Sequence, residues 1–337
     1  MKHLFLINSH TSFLSAAGTV EYLRLKLSDV IFLTVRFYKN SFSDVKWNTI
    51  EFSEIFSKYT THEIWHERKK RDDYLSEIDK FIDENVKEEF TFYCCHFAHP
   101  AFQMIYTHPL CREGAYIQEG GVPFKTTYVT NPSLWERIFN WSVNHLFLRT
   151  KRCHYPLVWY YPDFLSKQKN VHSFAISDSF FKYLPSINHI ITWPHKDVNV
   201  EIKEDSTIFI FDGFVKNTFC ELNIYLENCN RLIKEEARSY NYVRFHPAQC
   251  AEEKKTILDF FHNNNLMVEE MDSSIPFEWI LLSDNKELNV CGFGSSLLFF
   301  AKDMGHNVVC RDEWLTVSSK YRKYKKDCGF LWFKDSY

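Results

Sequence analysis

Short apolar runs alternate with longer amphipathic stretches along this chain, the signature of strands and helices taken in turn. Residues 4–7 (Leu-Phe-Leu-Ile) read as a buried strand, and Asn8-Ser9-His10-Thr11-Ser12 as the loop at its carboxyl end. Apolar residues at helical spacing predict a helix over 13–27, and 30–35 is a second strand. Residues 51–85 are charged and helical in pattern, 90–95 is a strand, and 100–106 is a short helix. A strand over 115–118 then runs into Glu119-Gly120-Gly121. Strands that alternate with helices predict a largely parallel sheet.

Tyr155-Pro156 and Tyr160-Tyr161-Pro162 interrupt regular structure, and the crossover between two domains is expected within 151–200. The alternation then resumes. It predicts strands over 207–211, 240–245, 288–291 and 307–310, with helices over 218–237, 250–263 and 295–304. The last 25 residues read as helical and then aromatic. The expected division is a first α/β domain over 1–165 and a second over 166–315. A tail over 316–337 would pack back on the first domain. Open α/β sheets bind ligands at the carboxyl ends of their strands, so two such domains would share a ligand between them.

Length agrees with two domains, since 337 residues exceed one ordinary core. Only 9 Gly and 10 Pro leave little room for flexible linkers. The net charge of −3 and a pI near 6.6 exclude a general nucleic-acid binder, which needs a clustered basic face. The first apolar run is too short for a secretory signal, and no apolar run is long enough to span a bilayer. The ten cysteines are dispersed and are expected as reduced thiols of a cytoplasmic protein.

Four segments carry chemistry. In Cys291-Gly292-Phe293-Gly294-Ser295-Ser296-Leu297-Leu298 an apolar strand enters two glycines, and two serines open an apolar helix. Serine is a favoured N-cap, and free N–H groups at a helix start suit one phosphate. In Arg244-Phe245-His246-Pro247 the proline ends the strand and sets His246 at the sheet's carboxyl edge. There it can face a phosphate or protonate a departing oxygen. Ile117-Gln118-Glu119-Gly120-Gly121 puts a carboxylate at a strand end, where it can act as a general base. Glu278, in Pro276-Phe277-Glu278-Trp279, opens an apolar helix and can accept hydrogen bonds from a nucleoside. Each also has an ordinary reading: a helix cap, a strand-end histidine, a solvated turn acid, an acid favoured by the helix dipole.

In chain order, acid-Gly, His-Pro, acidic helix start and Ser-Ser, the four segments resemble bacterial sialyltransferases of the two-domain GT-B fold, the lipooligosaccharide, capsule and O-antigen type with acid-acid-Gly, His-Pro and Ser-Ser motifs. The resemblance is clearest over 240–300, chiefly Phe277-Glu278 followed by Gly294-Ser295-Ser296-Leu297. Around 115–121 it departs from the family, with Gln118 standing where the first acid belongs. It implies an α/β GT-B fold, two Rossmann-like domains facing across a central cleft. It also implies an inverting transfer of sialic acid from CMP-sialic acid to a glycan hydroxyl, on a galactose-ended polysaccharide or lipooligosaccharide. Glu119 would be the base and His246 would assist CMP departure. Pro247, Glu278, Gly294, Ser295 and Ser296 would complete the donor site, with no metal or other cofactor. Asn8, His10, His96 and Gln118 would line the acceptor side.

Other readings carry less of the pattern. Gly294-Ser295-Ser296 lacks the closing glycine of a hydrolase nucleophile elbow. Cys94-Cys95-His96 with His99 resembles a metal cluster, but adjacent cysteines on a strand face opposite ways. A different CMP-activated acid such as Kdo, or a non-catalytic nucleotide- or sugar-binding module, stays open. The run Lys320, Arg322, Lys323, Lys325 and Lys326 reads as a solvated helix face or as a contact with the anionic inner membrane.

Overall fold

The computed structural model describes residues 1–36, 38, 46–120, 134–148, 150, 152–154, 171–178, 180–181, 186–194, 200–273, 275–283 and 286–328. The chain divides into two compact units, Met1–Pro194 and His195–Tyr337.

In the first unit seven parallel strands lie in the order β3-β2-β1-β4-β5-β6-β7. They are β1 (Lys2–Ile7), β2 (Val30–Thr34), β3 (Thr49–Glu51), β4 (Phe90–Cys94), β5 (Cys111–Ile117), β6 (His172–Ala175) and β7 (Ile187–Ile190). Leu4 to Ile7 are buried on both sides, as are all five residues of β2. Their near-continuous hydrophobicity is what a strand covered on both faces requires. Helices α1 (His10–Tyr22), α2 (Ser53–Ser57), α3 (Thr61–His66), α4 (Arg68–Asn85), α5 (Pro100–Tyr106) and α6 (Leu134–Ser142) complete the unit, with a π-helical turn over Val143–Leu148. α4 buries Arg71, Tyr74, Ile78 and Ile82, a stripe at three- and four-residue spacing.

The second unit has five parallel strands in the order β10-β9-β8-β11-β12. These are β8 (Ser206–Phe211), β9 (Tyr240–Phe245), β10 (Met267–Glu270), β11 (Asn289–Gly292) and β12 (Asn307–Cys310). Helices α7 (Leu222–Glu236), α8 (Ala251–Asn263), α9 (Phe277–Ser283), α10 (Ser296–Asp303) and α11 (Ser319–Cys328) accompany them. The order reverses between β8 and β11, and this switch point is where such sheets take ligands. Phe209, Phe211, Tyr225, Val243, Phe245 and Phe293 form the centre of the core.

The boundary falls later than the expected 165/166. β6 and β7 extend the first sheet, and the segment after them is clasped onto α1. There the Trp193 indole N–H donates to Ser15 Oγ at 3.1 Å, and both residues are buried. A Cβ at Gly18 would stand 2.4 Å from the Thr192 carbonyl, so only glycine admits this crossing. The tail also differs from expectation. Tyr321 of α11 is buried edge-on to Phe214 in the second core, and Tyr324 stacks on Phe219. Residues 319–328 therefore belong to the second unit; 329–337 lie outside the described residues.

Element bounds shift for identifiable reasons. α1 starts at His10, because Ser9 Oγ accepts the Ser12 N–H at 3.2 Å while Ser12 Oγ accepts the Ser9 N–H. α7 starts at Leu222 rather than 218, since Thr218 has a left-handed φ of 60° that a helix cannot hold. The region 51–85 is three helices, the second opened by a capping box between Thr60 and Glu63.

Candidate functional site

In the second unit, β8 lies between β9 and β11, so three strand ends converge on one stretch of sheet edge. β8 ends in Asp212-Gly213, β9 in His246-Pro247, and β11 leads through Phe293 and Gly294 to Ser295. The flanking strands are two spacings apart, about 10 Å.

His246 is fixed at that edge by its backbone. Its N–H donates to the Phe211 carbonyl at 3.0 Å and to Gln249 Oε1 at 2.9 Å, and Gln249 in turn donates to Glu253. The Ala248 N–H donates to Nδ1 at 3.0 Å, which assigns the ring proton of the neutral form to Nε2. The ring lies over Gly213, where a Cβ would come within 2.8 Å of Nδ1. Partial burial lowers the imidazole pKa below its ordinary value, so at neutral pH His246 is an uncharged N–H donor. Pro247 follows it at the surface.

Ser295 is the N-cap of α10, its Oγ accepting the Leu297 N–H at 3.4 Å. Ser296 is the first helical residue, and Gly294, Ser295 and Ser296 are all half-buried. Glu278 sits in the first turn of α9 and is buried. Burial lowers the Arg244 guanidinium's pKa, and the nearby charges of Glu278 and Asp272 oppose that; the guanidinium donates to the carbonyls of Asp272, Ser273 and Ile275. These contacts tie β9 to the segment that enters α9.

Asp212 was not singled out by sequence reasoning. Its backbone N–H donates to the Tyr225 hydroxyl, which donates back to the Asp212 carbonyl, both at 2.9 Å. Its side chain is only 7% exposed. Burial pushes the carboxyl up to about 7, against hydrogen bonds from the Ser295 hydroxyl and the Gly294 N–H that favour the anion. Oδ2 has no partner among the described residues. The signal was present in Phe211-Asp212-Gly213, a buried strand ending in acid-Gly, as at Glu119-Gly120.

The first unit gathers its own set at the carboxyl edge of β1, β4 and β5. Glu119 is half-buried and interacts with the buried Cys95 thiol, which burial and, to a lesser extent, that carboxylate hold in the protonated form. Gly120 follows at a φ of 47°, and Gly121 lies outside the described residues. Gln118 is fully buried, its Oε1 accepting the Ile176 N–H at 2.9 Å, so it stitches β5 to β6. Gln118 Nε2 and Asn8 Oδ1 are buried without partners among the described residues. His96 and His99 each accept a backbone N–H on Nδ1, from Ala98 and Ala101, both at 3.2 Å. Burial, with a smaller effect of the Arg36 charge, lowers His96 to about 4; burial, with smaller effects of His96 and then Arg36, lowers His99 to about 3. His10 Nδ1 is 3.0 Å from the Tyr38 hydroxyl. Beside it a cavity of about 460 Å³ is lined by Phe13, Phe32, Thr34, Tyr38, Trp47 and Glu51, among others.

No family model and no curated protein matches the chain. Several solved structures do, among them two with a TM-score of 0.50 or more. One is a protein described as a UDP-N-acetylglucosamine 2-epimerase from Listeria monocytogenes, 10% identical, with a TM-score of 0.53 over 92% of this chain and 78% of that one. The other is spinosyn rhamnosyltransferase SpnG complexed with thymidine diphosphate, 11% identical, with a TM-score of 0.50 over 92% and 80%. The fold is GT-B.

In GT-B terms, the predicted site residues fall into two sets. His246, Pro247, Gly294, Ser295 and Ser296 converge on one edge of the second Rossmann-like unit, while Asn8, His96, Gln118 and Glu119 sit at strand ends of the first. Glu278 is buried, with its charge within reach of Arg244. Among the described residues no group of three His, Cys, Asp or Glu side chains is arranged to hold a metal ion, and no helix is long and apolar enough to cross a membrane.

Proposed function

We propose that the chain is an inverting sialyltransferase that moves sialic acid from CMP-sialic acid to a hydroxyl of a galactose-ended surface glycan. The observation that carries this reading is the convergence of His246-Pro247 and Gly294-Ser295-Ser296 on either side of β8, at the switch point of the second sheet. A single phosphate fits between a neutral imidazole N–H and a serine-capped helix start. As the bond to the sugar breaks, charge grows on the phosphate, and donors already in place stabilise it. His246 acts through Nε2–H, as a hydrogen-bond donor rather than a cation. Glu119 takes the proton of the acceptor hydroxyl, held in orientation by Cys95. Glu278 serves the nucleoside side indirectly, by fixing Arg244 and the loop it holds.

Asn8, His10, His96 and Gln118 belong to the acceptor side in this reading. The aromatic walls of Phe13, Phe32 and Trp47 suit the face of a sugar ring. Metal ions have no role, so transfer persists in EDTA. Lys320, Arg322 and Lys323 are exposed on α11, while Lys325 pairs with Asp312 at 2.7 Å. The exposed three would hold the protein at an anionic inner-membrane surface, and replacing them by alanine should reduce low-salt vesicle binding.

The test is to incubate the protein with CMP-sialic acid, with and without a galactose-terminated acceptor, and follow CMP release. Release that requires the acceptor, with an inverted product linkage, supports the reading; release only from CMP-Kdo reassigns the sugar. No turnover of either donor sinks it. A second reading, a transferase using a nucleoside-diphosphate sugar, is favoured by the likeness to SpnG complexed with thymidine diphosphate. Competition between CMP and thymidine diphosphate for binding separates the two.

A further inference from the structure

The buried carboxyl of Asp212 shares its hydrogen-bonding partners with the donor site, and this has a consequence for the phosphate itself. Ser295 has one hydroxyl proton. While Asp212 is an anion, that proton is committed inward to the carboxylate, and Ser295 turns only lone pairs towards a ligand. A phosphate needs donors, so the two anions compete for the same O–H.

We propose that Asp212 is a positioning residue that takes up a proton when a phosphate docks at the α10 cap. The proton comes from solvent and binds the carboxylate. The new carboxyl O–H then donates to Ser295 Oγ, and the serine O–H rotates to donate to the phosphate. No covalent bond to the ligand forms or breaks in this exchange.

The surroundings support it. Asp212 Oδ2 is buried and has no partner among the described residues, which makes the anion costly. The carboxyl is accordingly raised to about 7, within reach of protonation at neutral pH. Among the described residues, titratable groups that feel its charge include Tyr225 and Cys229 from α7, Cys310 from β12 and Tyr321 from α11. Burial raises the pKa of each, so all four are uncharged there and none supplies a counter-charge. His246, over the neighbouring Gly213, is likewise neutral.

The inference rests on the proposed phosphate site, and calorimetry with CMP as the probe separates the two. CMP is titrated into the full chain at about pH 8 in buffers of different ionisation enthalpy. The wild type should take up close to one proton per CMP, and its affinity should fall about tenfold per pH unit above about 7. Asp212→Asn keeps a permanent donor to Ser295, so proton uptake should vanish and affinity should become flat with pH. Ser295→Ala removes the relay while leaving the carboxyl, and it too should bind CMP without uptake. CMP binding with no proton uptake, or uptake that survives in Asp212→Asn, overturns the inference and leaves the phosphate site standing. A wild type that binds no CMP overturns both.

Discussion

Two carboxylates at strand ends, Glu119 and Asp212, are each followed by glycine, yet their settings differ. Glu119 is half-buried beside a thiol, while Asp212 is enclosed and lacks a partner for one oxygen. The first is suited to exchange a proton with a substrate hydroxyl, and the second to exchange one with its neighbours. Glu119→Gln should therefore reduce transfer by a factor on the order of 10² to 10⁴ while CMP binding is unchanged. Turnover at the normal rate would remove Glu119 from the mechanism. The histidines and Asp212 also act on stability in opposite senses. His96 and His99 have folded pKa values below 6.5, so they bind fewer protons folded than unfolded, and stability is lost as pH falls from about 6.5. Asp212 has a folded value above 3.8, so its contribution is present in acid and is lost as pH rises from about 4 to about 7. Denaturant melts of His99→Gln should show a shallower acid limb than wild type. Those of Asp212→Asn should lack the loss between about pH 4 and 7, a difference of about 4 kcal/mol at pH 8.

Among elements, the strands legible in the sequence are the mostly apolar ones, β1, β2, β4, β5, β8, β9, β11 and β12. Those that were missed are short and polar. β3 (Thr-Ile-Glu) and β10 (Met-Val-Glu-Glu) lie at sheet edges, and β6 opens with His-Ser. An edge strand buries little, so its hydrophobic pattern fades and only tertiary pairing defines it. The donor motifs were legible because strand ends and helix caps are local chemistry. Asp212 and Cys95 were not, because their roles depend on which strands become neighbours, and β8 meets β11 only after two intervening strands. α11 is a case of the same kind. Its basic run conceals that Tyr321 fills the core beside Phe214, and Tyr321→Ala should cost about 3 kcal/mol in chemical denaturation. A negligible cost would mean that α11 is an attachment rather than part of the second unit.

Across the whole molecule, the two Rossmann-like units divide the proposed labour, with donor chemistry on the second and the base on the first. Each site sits at the carboxyl edge of its own sheet, and each has a buried polar atom without a partner among the described residues. Such atoms are uncommon in folded chains, and water, an ion or a ligand can complete their hydrogen bonding.

The clasp of Trp193 and Thr192 over Ser15 and Gly18 bears on how the protein can be dissected. A fragment ending at 165, where the sequence pattern suggested a boundary, would lose β6, β7 and the clasp together. It would leave Gln118 without the Ile176 N–H and expose β5 as a new, apolar sheet edge, a template for self-association. A fragment ending at 194 retains its own border strand, Ile187–Ile190, in which Asn188 and His189 stand between two exposed isoleucines. Size-exclusion chromatography should find the shorter fragment aggregated and the longer one monodisperse. The useful cut is set by a tryptophan gripping the first helix of the fold, some thirty residues beyond the last prolines that seemed to announce it.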